Sequence, residues 1–410
     1  MKRVVVTGLG CITPVGNNVD AFWQNLTAGK HGFGEITRFD ASGLKMKIAG
    51  EVKNFDPGLY MDKSEIRRTD LFARYALAAA AQAVDESGIV GSAAPGRLGV
   101  YVGSGIGGMT TFTAETEKLL TGGPQKISPF FIPMMIANMA SALIAMKHDA
   151  RGPNLPVVSA CATATHAIGE AFRAIKFGFA DAIIAGGAEA TVNPLAMGGF
   201  INCMALSTSD DPDSSSIPFD RRRNGFVMGE GAGVLVLEEY GHAVRRNAKI
   251  YCEISGYGNT CDAYHITAPH PEAAGSAEMI RLAMKESGLR ADEKLYINPH
   301  GTSTPLNDKA ETLAIKKAFG ELAYRIPISS TKSMTGHMLG AAGGAEAIAA
   351  VKTLETGVVP PTAGYKEPDP DCDLDYVPNT ARKCDIDKAL SISLGFGGHN
   401  AGIVFNKLRI

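Results

Sequence analysis

The chain has 410 residues, 45% of them hydrophobic and 20% charged, and its formal net charge is −2. This balance excludes a mostly disordered chain, and the lack of basic excess gives no support to a nucleic-acid binder. At about 150 residues per domain, the length predicts two to three domains or one large domain built from two halves.

In chain order, residues 2–7 are predicted as a buried strand, with Val4, Val5 and Val6 in a row. The run is shorter than the roughly 7–15 apolar residues of a signal peptide, so a cytoplasmic protein is expected. Helical patterns follow at 19–28 and 63–88. A short strand at 98–102 ends in the glycine turn 103–108. Residues 127–146 carry no charge and are long enough to span a bilayer. Pro129, Pro133, Asn138 and two serines interrupt them, which favours a buried or interface segment over a membrane span. A third strand is predicted at 156–159, a helix at 162–177, and strands at 181–185 and 233–237.

The order then restarts. Strand 250–255 is followed by helix 275–287 and strand 295–298. Residues 327–329 lead into a glycine-rich helix near 339–356. A closing hairpin, 390–394 and 401–406, surrounds Gly395-Phe396-Gly397-Gly398. Alternating strands and helices point to an α/β architecture. Two halves, 1–248 and 249–410, carry similar element orders, and no low-complexity linker divides them.

Seven cysteines in a chain this long do not make a disulfide scaffold, and no C-x-x-C pair offers a zinc or redox motif. Cys161 stands apart. It follows the strand at 156–159 and opens the helix beginning at Ala162. A helix N-terminus lowers a thiol pKa, and a strand–turn–helix placement exposes the sulfur as nucleophile elbows do. A small buried residue is the other reading. The remaining six cysteines lack this placement and are read as structural.

A cysteine nucleophile needs a histidine. His300 sits in Asn298-Pro299-His300-Gly301-Thr302-Ser303-Thr304, and His337 in Ser330-Thr331-Lys332-Ser333-Met334-Thr335-Gly336-His337. Both segments offer backbone amides and hydroxyls to a polar ligand, although either histidine alone also reads as structural. His166, five residues past Cys161, lies about 140° round the same helix and is expected to point elsewhere.

Together with Val158-Ser159-Ala160-Cys161-Ala162-Thr163 and Gly395-Phe396-Gly397-Gly398-His399-Asn400, these segments make the sequence resemble the β-ketoacyl-acyl carrier protein synthases. The likeness spans essentially the whole chain and is nearest to the type II condensing enzymes of fatty acid synthesis. The resemblance implies a thiolase-like five-layer α/β/α/β/α fold of two similar halves, and a homodimer. It implies that Cys161 takes the acyl chain from a carrier-protein thioester. His300 and His337 would support malonyl decarboxylation, and Glu346 would partner Lys332. Phe396 matches a gating residue, and Thr302 and Thr304 match hydroxyls that contact the phosphopantetheine arm. No metal or redox cofactor is implied. Ile106, Phe131 and Phe200 match acyl-pocket positions, with Phe131 reaching into the partner subunit.

The implied partner is acyl carrier protein, acyl- and malonyl-loaded. Lys63, Arg67, Arg68 and Lys126 resemble the family's docking patch, and basic residues on a helix also serve simply to solvate it. Arg221-Arg222-Arg223 is read as ion-paired structure. Pro299 departs from the alanine usual before the first histidine, which bears on the position of His300. Other readings fit less well. The dinucleotide fingerprint begun by Gly8-Leu9-Gly10 fails at Thr13. A thiolase would use a second cysteine where this chain has two histidines. A non-catalytic chain-length subunit would lack Cys161. A ketosynthase of a polyketide or specialised lipid pathway remains the alternative.

Overall fold

The computed structural model describes residues 1–290 and 293–408. Eight strands pair into one sheet: β1 (Val4–Ile12), β2 (Leu98–Gly103), β3 (Ala182–Glu189), β4 (Gly231–Glu239), β5 (Cys252–Cys261), β6 (Leu295–Asn298), β7 (Lys388–Gly395) and β8 (His399–Asn406). Their spatial order is β2-β3-β4-β1-β5-β8-β7-β6. The first four strands come from the N-terminal part of the chain and the last four from the C-terminal part. The two groups meet where Val4, Val5 and Val6 pair antiparallel with Ile254, Glu253 and Cys252.

Read outward from this seam, both groups have the same plan. β2 pairs parallel with β3 as β6 does with β7. β3 pairs antiparallel with β4 as β7 does with β8. The helices repeat as well. α1 (Leu71–Ser87) and α2 (Met139–Lys147) cover the outer face of the first group, and α4 (Ala274–Ser287) with α5 (Pro305–Phe319) that of the second. Between the groups lie α3 (Thr163–Lys176) and α6 (Ala342–Thr356), packed on each other and on strands of both. The layers are therefore α/β/α/β/α, as the resemblance implies.

The two central helices are buried nearly all round, which explains their small residues. In α6, Ala342 to Val351 are all buried. Gly344 lies against β4 so closely that a Cβ there would stand 2.2 Å from the carbonyl oxygen of Gly233. The outer helix α1 is also largely buried and reaches solvent at Asp85 and Glu86; it is N-capped by the Asp70 side chain and ends at Gly88 with φ 60°.

Several boundaries differ from expectation. Residues 156–159 are not a strand. The preceding residues bond to the edge of β2, through Val100 N–H to Pro153 O and Leu155 N–H to Val100 O. Pro156 has no N–H to continue the ladder. The helical pattern at 63–88 divides into Lys63–Arg67, opened by a capping box of Asp62 and Glu65, and α1. Helices Met109–Gly122, Pro194–Asn202, α2 and α5 had no predicted counterpart. The uncharged stretch 127–146 holds two short helices, Phe131–Met135 and α2. No helix among the described residues is long and apolar enough to cross a membrane.

The contact of Gly344 with Gly233 yields a stability prediction. Gly344→Ala must push the central helix off the sheet, at a cost of about 1–3 kcal/mol. Thermal unfolding should show a melting temperature several degrees lower, and an unchanged value would contradict the packing.

Candidate active site

Cys161 lies in a single 3-10 turn, Ala160–Ala162, immediately before α3. Ala160 has φ 50°, a left-handed conformation that a non-glycine residue adopts only under local constraint. The constraint is visible: the Ser159 N–H donates to the Thr163 hydroxyl at 2.9 Å, and the Ala162 N–H to Ser159 O at 3.1 Å. The result is a sharp elbow with the sulfur at its apex.

The histidines come from the other group of strands. His300 follows β6 on a loop fixed from behind by α5. The N–H groups of His300 and Gly301 donate to the two oxygens of Glu311 at 2.6 and 2.7 Å, and that of Thr302 to Asp308 at 3.0 Å. Pro299 therefore leaves His300 in place. His337 follows the short helix Lys332–Thr335. Its N–H donates to Val227 O at 2.8 Å, and its carbonyl accepts from Gly229 N–H at 2.9 Å. The rings of His300 and His337 meet edge to face with centroids 5.1 Å apart, and Phe226 backs His337 at 5.1 Å. The sulfur of Cys161 and one nitrogen of each ring lie within 4.8 Å of one another.

Burial governs the electrostatics. Burial, then the positive charge of Lys332, hold both imidazoles well below the usual histidine range, so they are neutral at pH 7. Both Nδ1 atoms are buried without a hydrogen-bond partner. The expectation of a depressed thiol is corrected. Desolvation pushes Cys161 up to about 12, outweighing Lys332 and the hydrogen bonds from the N–H groups of Phe396 and Cys161 that favour the thiolate. Lys332 and Glu346 form a buried contact ion pair. The cationic lysine near a protonated thiol does not suit a divalent metal ion at these three groups.

Cys161, His300 and His337 line a cleft of about 370 Å³ together with Phe200, Thr302, Thr304 and Phe396, whereas Lys332 and Glu346 are buried outside its lining. Thr302 and Thr304 share a hydroxyl–hydroxyl bond of 2.9 Å, and Phe396 lies beside Phe200 with ring centroids 6.4 Å apart. A larger cavity of about 830 Å³, between α4 and α5, holds none of them.

The expected acyl-pocket residues Ile106 and Phe131 are also outside the cleft lining. Ile106 is 38% exposed on the loop after β2, and Phe131 packs near Phe112. His166 points away, to Ser159 and Asn259, as expected. Lys63, Arg67, Arg68 and Lys126 are exposed and form no ion pair among the described residues, with Arg68 over the Phe130 ring. Arg222 pairs with Asp220, and Arg223 with Asp369. Cys203 and Leu339 line the cleft, and Glu311 orients His300; none of the three was predicted. Thr304-Pro305 and Gly320, a helix start and stop, were the available signal for α5 and hence for Glu311.

An elbow cysteine facing two neutral histidines at the meeting of two like α/β layers defines a condensing-enzyme site. The comparisons agree. Residues 1–243 match the Beta-ketoacyl synthase N-terminal domain and residues 251–366 its C-terminal domain, and the chain belongs to that family. It is 52% identical to the 3-oxoacyl-[acyl-carrier-protein] synthase 2 of a Synechocystis species, over 100% of this chain and 99% of the relative. It is 50% identical to the enzyme of that name in Coxiella burnetii, over 99% of each. A solved type II polyketide ketosynthase, in complex with its acyl-carrier protein, superposes with a TM-score of 0.91 at 35% identity, over 99% of this chain and 100% of that one.

The buried ion pair can be tested apart from activity. Glu346→Gln leaves the Lys332 ammonium without a charged partner and should cost about 3–5 kcal/mol. The double variant Lys332→Met with Glu346→Gln should lose much less in denaturant unfolding. Equal losses would show that the two charges are not coupled.

Proposed function

We propose that this chain lengthens acyl groups by decarboxylative Claisen condensation, with malonyl-acyl carrier protein as extender, in fatty acid elongation. The observation that carries this reading is the gathering of the Cys161 sulfur and two neutral imidazoles within 4.8 Å. The polyketide alternative is less favoured, because identity is 52% to an acyl-carrier-protein synthase 2 and 35% to the polyketide ketosynthase.

In the first half-reaction the Cys161 sulfur attacks the acyl thioester. Cys161 rests as a thiol, so its proton must leave as the carbon–sulfur bond forms. A neutral imidazole beside it can accept that proton, and the departing carrier thiolate takes it up. The tetrahedral oxyanion is placed between the N–H groups of Cys161 and Phe396. In the second half-reaction malonyl-carrier protein loses carbon dioxide, and the electrons of the broken bond pass to the thioester as an enolate. N–H groups of His300 and His337 stabilise its oxygen, each contributing about 3–4 kcal/mol. The enolate carbon attacks the acyl-Cys161 carbonyl, the carbon–sulfur bond breaks, and the released thiolate takes up a proton from solvent, the one proton the overall reaction consumes. The product is a 3-oxoacyl-carrier protein two carbons longer. Lys332, held by Glu346, is placed to keep both imidazoles neutral.

The remaining roles extend the same reading. Thr302 and Thr304 receive the phosphopantetheine arm, Phe396 gates the cysteine, Phe200 bounds the acyl chain in the cleft, and Ile106, on the loop outside the cleft lining, meets a chain that extends past it. Phe131 serves the pocket of a second subunit. Exposed Ile132 and Met146, in the uncharged stretch, support a homodimer there. The half 1–248 supplies the nucleophile, and the half 249–410 both histidines. Lys63, Arg67, Arg68 and Lys126, free of ion pairs among the described residues, offer an acidic carrier protein a docking surface. A cytoplasmic setting is consistent with the free thiols.

Incubation with a medium-chain acyl-carrier protein should give an acyl adduct on Cys161 by peptide mass spectrometry, discharged by malonyl-carrier protein. Cys161→Ala should give neither adduct nor condensation, and normal elongation by that variant would refute the mechanism. Charge reversal at Lys63 and Arg67 should raise KM for the carrier-bound substrate at low salt and much less at high salt. A KM unchanged at low salt would remove this surface from docking.

A further inference from the structure

We propose that Glu189 is a positioning residue that hangs the acyl-pocket loop of one half and the histidine turn of the other on a single buried carboxylate. The inference rests on the condensation reading above.

Glu189 ends β3 and is completely buried. Four donors converge on it. Oε1 accepts from the Ser104 hydroxyl at 2.8 Å and from the Ile106 N–H at 3.3 Å. Oε2 accepts from the Gly105 N–H at 2.8 Å and from the Gly340 N–H at 3.0 Å. Three of the four lie on the loop that carries Ile106. The fourth lies three residues after His337 and directly after Leu339, which lines the cleft.

The fit is too close for coincidence of packing. A Cβ on either Gly105 or Gly340 would stand 2.7 Å from Oε2, and one on Gly340 would stand 2.4 Å from the Gly105 nitrogen. The loop also touches the nucleophile elbow, since a Cβ on Gly105 would be 3.4 Å from the Ala160 carbonyl oxygen. Glu189 itself does not line the cleft and has no ion pair among the described residues. Burial pushes its carboxyl up to about 7 while the donors pull it down. The ionised carboxylate is the form that accepts all four bonds.

An acyl chain that displaces the Ile106 loop therefore pulls on the same oxygens that fix the turn after His337. Acyl loading and malonyl decarboxylation share one support, although they use different side chains. Glu189→Gln tests this. An amide replaces one accepting oxygen with a donor, so in either orientation two donors meet a donor.

Both half-reactions of Glu189→Gln should slow by about tenfold. Acyl transfer would be followed by intact-protein mass, and carbon dioxide release from malonyl-carrier protein on preformed acyl-enzyme. Long acyl chains should lose more than short ones, a change of ratio that a merely structural role would not produce. Ser104→Ala touches only the loop side and should slow long-chain loading about threefold while sparing decarboxylation. A folded Glu189→Gln protein with parental rates in both half-reactions overturns the proposal. If Glu189→Gln does not fold, Ser104→Ala decides, and parental long-chain loading overturns it. A parent protein that never acylates Cys161 refutes the condensation reading itself, and the proposal falls with it.

Discussion

The site depends on two helices that begin against each other. α3 and α6 occupy equivalent places in the two halves, and each is preceded by a 3-10 turn, Ala160–Ala162 and Leu339–Ala341. Each turn opens on a residue with positive φ, 50° at Ala160 and 45° at Leu339. The turns pack together at the centre of the molecule. One elbow presents Cys161. The other presents the glycine N–H of residue 340, with His337 just before it. The close contact of α6 with β4 sets how near the two elbows come.

Burial then sets the chemistry. A cleft walled by Phe200, Phe226 and Phe396 strips water from both histidines and the thiol. Desolvation favours the uncharged form of each. Neutral imidazoles can donate N–H groups to a developing anion without carrying a charge into the ground state. The cost is a thiol that resists ionisation, and the two backbone N–H groups beside the sulfur act in the opposite sense. Lys332, the cation that acts on all three groups, is tied to Glu346 in the same buried layer.

Much of this was legible in the sequence because it is written in local patterns. Val4 to Val6, the Gly395–Gly398 turn and the runs around Cys161, His300 and His337 are contiguous signals, and the resemblance they carry led to the correct fold. What escaped is held by distance or by irregularity. Glu189 acts on a backbone N–H 84 residues away that no spacing rule connects to it, and Glu311, 11 residues from the His300 N–H, is reached only through the start and stop signals of α5. Residues 156–159 have strand composition, but Pro156 breaks the ladder. The thiol's pKa was misjudged because its position before a helix is visible in sequence and its depth is not.

The two-half construction also bears on how the protein is made. Cys161 leaves the ribosome with its elbow and its own sheet neighbours, whereas His300, His337 and the Phe396 N–H follow after 139, 176 and 235 further residues of synthesis. Closing such long loops carries an entropic cost before any contact repays it. A nascent first half therefore holds a thiol with neither the imidazoles nor the cleft that desolvate it. The cleft around its sulfur is complete only when the last hairpin, β7 and β8, brings Leu394, Phe396 and Asn400 to the lining.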